Sequence, residues 1–137
     1  LGFYPGLASL ISLDPRCRMT APKYNPPRTW TPKGTVGYGG SVTCVYPDRT
    51  PGGYQIIGHT PVPVCDLEQR LPAFADRLAL LRPGDRVRFQ PIEREEYDYI
   101  ERRVEEGTYV HTMTAYSKFS IREYHAWLET LDMNAQF

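Results

Sequence analysis

Proline constrains the fold of this chain more than any other residue type, because 13 of the 137 residues are proline and 11 more are glycine. Five of the prolines lie between residues 14 and 34, in the stretch DPRCRMTAPKYNPPRTWTPKG. Proline lacks the N–H group that helices and central strands need, so we predict an extended surface loop here. We expect Tyr24 and Trp30 to hold this loop in place. The many turn residues elsewhere favour short strands over a helix bundle.

Alternation of polar and apolar residues predicts strands after the loop. The segments are TVGYGG, SVTCVY, YQIIGH, a short edge-like PVPVC, and RVRFQPI with Val87 and Phe89 facing inward. Leu71, Phe74 and Leu78 have helical spacing and predict a short helix or two turns. The regular spacing of strands and turns is typical of a small β-barrel or sandwich.

Residues 93–137 have a different, amphipathic pattern. Tyr97, Ile100 and Val104 share one face of a predicted helix, and Gly107 is placed to end it in the C′ position. The following TYVHTMT is a candidate strand.

The segment FSIREYHAWLETL predicts a second helix with a defined start. Ser120 is the N-cap with Glu123 three residues later, and Phe119 and Tyr124 form a hydrophobic staple. The apolar stripe of this helix consists of Tyr124, Trp127, Leu128 and Leu131. We expect the stripe to pack either on the chain's own domain or on a partner.

The charge balance argues against two kinds of binding. Sixteen basic and sixteen acidic residues give a net charge of zero, which argues against nucleic-acid binding and against attraction to an anionic membrane. Cys17, Cys44 and Cys65 are too few and too irregularly spaced for a zinc site, and we expect three reduced thiols in a cytoplasmic protein. The chain begins at Leu1 without a methionine, so we expect it to be a piece of a longer protein.

Common catalytic motifs are missing from the sequence. His59, His111 and His125 have no metal-ligand spacing, and the pairs Glu95–Glu96 and Glu105–Glu106 fit a solvated helix face. There is no nucleophile elbow and no P-loop.

A ligand site is suggested instead by the basic, aromatic stretch KYNPPRTW together with the glycine turns VGYGG and TPGGYQ. Arg28 can hold a carboxylate or phosphate through two parallel hydrogen bonds, and Lys23 can add a second positive charge. The same residues also fit the alternative of ordinary loop and turn positions.

Several long motifs resemble a known family. GFYPG…SLDPR, KYNPPRTWTPKGTVGYGG, CVYPDRTPGGYQIIGHTP and LLRPGDRVRFQPI are similar to the second domain of the allophanate hydrolase subunit 1 family. That family includes the small subunit of 5-oxoprolinase and a sporulation kinase inhibitor. The stretch from KYNPPRTW to PGGYQ is most similar to the carboxyltransferase region of urea carboxylase, and the tail FSIREYHAWLE resembles the segment that follows it.

The resemblance implies a mainly β fold, a cyclophilin-like β-barrel over residues 1–92 with a helical extension over residues 93–137. It implies a heteromer in which a homologous subunit 2 supplies the second half of a carboxyltransferase site. The cofactor implied is biotin on a separate carrier domain, with ATP used only at a partner biotin carboxylase. The carboxyl group would pass from carboxybiotin to urea or a similar small amide.

Candidate site residues follow from this hypothesis. Arg28 and Lys23 would supply the charge that holds the moving carboxylate. The residues assigned to substrate binding are Tyr4, Pro5, Gly6, Asn25, Tyr46, Gly52, Gly53, Tyr54 and Gln55. No residue among them is a convincing general base, as expected of half a site.

The start of the chain, LGFYPGLASLISLDPR, resembles the oxoprolinase and kinase-inhibitor members more than urea carboxylase, which leaves the acceptor open. An alternative function is a non-catalytic regulatory binding module like the sporulation kinase inhibitor. The extension beyond residue 92 favours the carboxyltransferase, because a stand-alone inhibitor has no evident need of it.

Overall fold

The computed structural model describes residues 6–114 and 118–135. Its elements in chain order are β1 (Arg28–Thr31), β2 (Thr35–Gly39), β3 (Val42–Val45), β4 (Thr50–Gly52), β5 (Gln55–His59), α1 (Arg94–Glu105) and α2 (Ile121–Glu129). Short 3-10 turns occur at Pro15–Cys17 and Pro72–Phe74. None of the helices in these residues is long and apolar enough to cross a membrane.

The strands form two open antiparallel sheets. One consists of β1 and β4, and the other has the order β3-β2-β5. In the second sheet Gly37 of β2 lies opposite Cys44 of β3 and Ile56 of β5. The mainly β prediction is confirmed, but the described strands do not close into a barrel.

The stretch TPGGYQIIGHT carries the chain from one sheet to the other. Its first three residues form β4, which pairs with β1, and Gln55–His59 form β5, which pairs with β2. Only Gly53 and Tyr54 lie between these strands. The glycine turn is therefore the point where the two sheets meet in the chain.

The proline-rich loop contains one strand and is not held as predicted. Residues 28–31 contain no proline and form β1, because their N–H groups remain available for pairing. Tyr24 and Trp30 are more than half exposed, so neither ring anchors the loop by burial. Instead the buried Tyr38 donates its hydroxyl proton to the Met19 carbonyl at 2.6 Å.

Three strand predictions are wrong because no partner strand forms. In PVPVC, Pro61 and Pro63 lack N–H donors, and only Cys65 makes an isolated bridge. RVRFQPI has no pairing strand within the described residues, and Val87 and Phe89 are exposed rather than inward. TYVHTMT is also not a strand.

The buried core has two small clusters. Val36, Val45 and Val64 pack together under the three-stranded sheet. The second cluster contains Leu71, Ala73 and Phe74, with Leu80, Val104 and Tyr109 packed against it. The predicted helix near Leu71 is reduced to the 3-10 turn Pro72–Phe74.

Both C-terminal helices match their sequence signals. Gly107 follows the C-cap of α1 with φ of +71°, a conformation that glycine adopts at little cost. In α2 the Ser120 hydroxyl accepts a bond from the Glu123 amide at 3.2 Å. The Phe119 and Tyr124 rings lie 5.4 Å apart, which confirms the predicted staple.

Helix α2 contacts its own chain through Tyr124. The Tyr124 hydroxyl donates to the Leu13 carbonyl at 2.7 Å and accepts from Arg18 at 3.3 Å. Trp127 packs beside Tyr124 at 5.8 Å between ring centroids but remains 39% exposed. The stripe is therefore attached to residues 13–18 through Tyr124, while Leu128 and Leu131 farther along it are partly buried.

Candidate functional site

The proline-rich loop and the glycine turn meet at the edge of the two-stranded sheet. Pairing of β1 with β4 sets Arg28 opposite Gly52. The Tyr24 amide donates to the Gly53 carbonyl at 2.7 Å, and the Gln55 side chain donates to the Pro22 carbonyl at 2.8 Å. These two hydrogen bonds bring together two segments that lie more than 20 residues apart in sequence.

Arg28 is half-buried and tied to the protein by its guanidinium. Its Nη2 donates to the Tyr54 carbonyl at 2.7 Å, and its Nε donates to Thr31 Oγ1 at 3.3 Å. The guanidinium carbon also stands 5.3 Å from the centre of the Tyr24 ring. Arg28 thus joins β1 to the residue that follows the glycine turn.

Lys23 approaches the same turn from the other segment. Its Nζ lies 4.8 Å from the centre of the Tyr54 ring, within cation–π range. No carboxylate in the described residues forms a salt bridge with Lys23 or Arg28. The two cations therefore meet at Tyr54 while their positive charge remains uncompensated.

Tyr46 forms the buried floor beneath the glycine turn. Its ring is edge-on to Tyr54, with 6.5 Å between centroids, and its hydroxyl lies against Gly52. A Cβ at Gly52 would collide with that hydroxyl, and one at Gly53 would stand 2.9 Å from the Tyr24 carbonyl. Both glycines are required for space, because a side chain at Gly52 would displace the Tyr46 ring and one at Gly53 would push the turn away from the loop.

The Tyr46 phenol and the Cys44 thiol, which lie near the turn, stay protonated at neutral pH. Burial raises the pKa of Tyr46, while hydrogen bonds from the Tyr54 backbone and the Thr31 side chain act in the opposite direction. Burial also raises the pKa of the Cys44 thiol to about 11. Neither group can act as a general base or a thiolate nucleophile in this state.

The comparisons with known proteins bear on this cluster. The sequence profile described as carboxyltransferase domain, subdomain C and D, matches residues 1–75, which is more than half of the chain. The chain belongs to this carboxyltransferase domain family. The resemblance to urea carboxylase and 5-oxoprolinase that the motifs indicate is thereby confirmed.

Two curated relatives and one solved structure illustrate the family. Urea amidolyase of Saccharomyces cerevisiae is 37% identical over 123 residues, which is 90% of this chain and 6% of that protein. A 5-oxoprolinase subunit of Escherichia coli O157:H7 is 48% identical over 91 residues, 66% of this chain and 38% of that one. The crystal structure of a conserved uncharacterized protein from Pyrococcus horikoshii superimposes with a TM-score of 0.56 at 35% identity, covering 70% of this chain and 41% of that one. The chain thus spans only a minor part of each.

Most of the predicted carboxyltransferase residues lie in one place. The cluster at the glycine turn contains Lys23, Arg28, Tyr46, Gly52, Gly53, Tyr54 and Gln55. Asn25 is exposed in the adjacent loop. Gly6 lies elsewhere, packed against Cys65 and the Val64 carbonyl. Tyr4 and Pro5 lie outside the described residues.

Two cavities of this carboxyltransferase domain are separate from the two cations. A groove of about 790 Å³ runs between residues 7–13 and 81–87, and a smaller cavity of about 290 Å³ lies beside His59 and Tyr97. Neither is lined by Lys23 or Arg28. The cation cluster, with Lys23 exposed and Arg28 half-buried, is therefore not part of either cavity.

The histidines do not add a metal site to the domain. His59 bonds the Lys33 carbonyl and the Tyr97 hydroxyl, both at 2.7 Å, and so connects the end of β5 to α1. Among the described residues no group of three His, Cys, Asp or Glu side chains could hold a metal ion.

Sequence reasoning missed Thr31, which is fully buried and accepts a hydrogen bond from Arg28. The sequence carries one weak signal for it, a polar residue at the end of a strand that faces the interior. A periodicity argument could not connect it to Arg28, because residues three apart on a regular strand point to opposite faces.

Proposed function

We propose that this chain supplies one half of a carboxyltransferase site that moves a carboxyl group from carboxybiotin to urea or a similar small amide. The observation that carries the proposal is the pair of cations, Lys23 and Arg28, gathered on one glycine turn without a carboxylate partner among the described residues. A transferring carboxylate needs positive charge of this kind to hold it in place.

Each residue of the cluster has a role in this proposal. The Lys23 ammonium and the remaining N–H groups of Arg28 bind the carboxylate, and the Tyr54 ring forms the adjoining wall. Gln55 holds the loop through the Pro22 carbonyl and so fixes where Lys23 stands. Carboxybiotin, carried on a separate domain, supplies the carboxyl group when it is bound.

The described residues of the cluster include no proton acceptor, and this supports a shared site. The raised pKa values of Tyr46 and Cys44 keep both protonated at neutral pH. We therefore propose that the base that removes a proton from the urea or amide substrate comes from a partner, the homologous subunit 2 or second carboxyltransferase half. Biotin carboxylase, with its ATP, and the biotin carrier complete the assembly.

The same proposal extends to the fold. Residues 1–92 form part of a cyclophilin-like barrel whose missing strands come from elsewhere in the assembled enzyme, and residues 93–137 form the helical extension. The open edges of both sheets support this arrangement, because they leave positions where further strands can pair.

The test uses the assembled enzyme with its biotin carboxylase and carrier. Radiolabelled bicarbonate and ATP load the carrier, and transfer of label to urea or 5-oxoproline is then measured. Arg28→Ala should leave carrier loading intact and slow transfer by roughly a hundredfold, the typical loss for one charged donor in a transition state. Arg28→Lys tests whether charge alone suffices.

Arg49→Ala is the matched control. Arg49 is exposed, stacks on Trp30 at 4.8 Å and lies just before β4, so it adds positive charge near the same sheet but away from the turn. This variant should transfer label at the wild-type rate. Wild-type transfer by both Arg28→Ala and Lys23→Ala would refute the proposal and favour a non-catalytic binding module.

A further inference from the structure

Thr31 at the end of β1 is a buried hydroxyl that the proposed chemistry does not use. Its side chain is 0% exposed, and it is among the largest fully buried side chains of the described residues. A buried hydroxyl is costly unless it is hydrogen-bonded, so its partners indicate what it does.

The hydrogen-bond partner of the Thr31 hydroxyl is Arg28 of the cation cluster. Arg28 Nε donates to Thr31 Oγ1 at 3.3 Å. The Thr31 side chain also stands close enough to the Tyr46 hydroxyl to lower its pKa. A threonine hydroxyl can accept the bond from Arg28 and still donate its own proton, because it has one proton and two lone pairs.

A bulge in β1 makes this contact possible. Arg28 pairs with Gly52 and Thr31 with Thr50, so two residues of β1 lie opposite the single intervening residue of β4. The extra residue shifts the alternation of the strand and turns Thr31 toward the side on which Arg28 lies. Without it, the two side chains would point to opposite faces.

We infer that Thr31 is a positioning residue that fixes the Arg28 guanidinium relative to the Gly52–Gly53 turn. It accepts from Arg28 Nε and lies beside Tyr46, whose hydroxyl is itself seated against Gly52. The guanidinium is thus held at both ends, by Thr31 through Nε and by the Tyr54 carbonyl through Nη2. This inference rests on the proposed carboxyl transfer, since it assigns Thr31 a task within that site.

The experiment compares variants in the assembled enzyme, whose biotin carrier is loaded with radiolabelled bicarbonate and ATP. Thr31→Val removes the hydroxyl at nearly constant volume, and Thr31→Ser keeps it. Thr29→Val, on an exposed threonine of the same strand, is the matched control. Each variant is also made in the Arg28→Ala background, and thermal unfolding is followed in parallel.

We expect Thr31→Val to slow label transfer by roughly tenfold, because small displacements of a binding group cost rates of this order. The loss should fall on kcat rather than on KM for urea, and carrier loading should be unchanged. Thr31→Ser should recover most of the rate, and Thr29→Val should match wild type. In the Arg28→Ala background, Thr31→Val should cause no further loss.

Three results would overturn the inference while leaving the carboxyl-transfer proposal in place. They are a wild-type rate for Thr31→Val, an equal loss for Thr31→Ser, and the same fold-loss for Thr31→Val with or without Arg28. The last result would identify Thr31 as a purely structural residue. A wild-type rate for both Arg28→Ala and Lys23→Ala would instead overturn the carboxyl-transfer proposal and the role of Thr31 with it.

Discussion

His111 is buried between two aromatic rings and has only one of its two nitrogens bonded. The ring centroids of Phe74 and Tyr109 lie 5.4 and 5.0 Å away. Its Nε2 bonds the Pro63 carbonyl at 3.1 Å and must carry the proton, because a carbonyl only accepts. Nδ1 is buried without a partner among the described residues. The ring is therefore held neutral.

This environment predicts a loss of stability in mild acid. Burial lowers the pKa of His111 below its usual 6.5, while the bond to Pro63 acts in the opposite direction. As the pH falls below 6.5, the unfolded chain binds a proton that the folded chain resists, so the free energy of unfolding decreases. Above that pH both states are neutral and the full stability is present.

Urea denaturation between pH 8 and pH 5 tests this expectation. His111→Phe should be less sensitive to acid over this range than wild type, whereas His125→Gln, on an exposed residue, should retain the wild-type dependence. An unchanged acid sensitivity of His111→Phe would contradict the assignment.

The three cysteines should differ sharply in reactivity. Cys17 is exposed, while Cys44 and Cys65 are buried and have raised thiol pKa values. With a pKa of about 11, roughly one Cys44 thiol in a thousand is ionised at pH 8. We expect a thiol reagent to label one site rapidly in the folded chain and none in Cys17→Ser. Rapid labelling of two or three sites would show that the cores around Cys44 and Cys65 are open.

At the scale of elements, the contribution of the α2 N-cap to the free energy of unfolding should be measurable. The Ser120 hydroxyl satisfies the Glu123 amide, and Ser120→Ala should lower the free energy of unfolding by about 1 kcal/mol. Ser120→Asp keeps a capping acceptor and should stay near wild type. An equal loss in both variants, measured by urea denaturation, would mean that the cap is not the cause.

The elements differ in how far local sequence could predict them. The ends of α1 and α2 were predictable because their signals, Gly107 and Ser120, act within one helical turn. The strand expected around Val87 and Phe89 was not, because a strand depends on a distant partner that periodicity does not reveal.

The candidate site also contains some residues that the sequence could predict and one that it could not. The family motifs contain Arg28 and Gly52, so both could be assigned to a site from the sequence. The role of Thr31 depends on a bulge that only the paired strands create, and no local pattern predicts it.

At the scale of the whole molecule, the open cation cluster predicts that this chain is inactive alone. Mixed with a loaded biotin carrier and urea, the purified chain should give no label transfer, because it offers positive charge without a base. Addition of the second carboxyltransferase half should restore transfer. Turnover by the chain alone at an enzyme-like rate would show that it carries a complete site.

The outer edge of β5 has a consequence for handling the protein. Ile56 and Ile57 face opposite sides of this strand, and both are more than half exposed. Among the described residues only β2 pairs with β5, so the other row of its backbone donors and acceptors is unpaired. An apolar strand with a free edge is a template for strand addition between identical chains. Preparations of this chain without its natural neighbours should therefore aggregate through β5 as concentration rises, and Ile57→Lys should keep them dispersed.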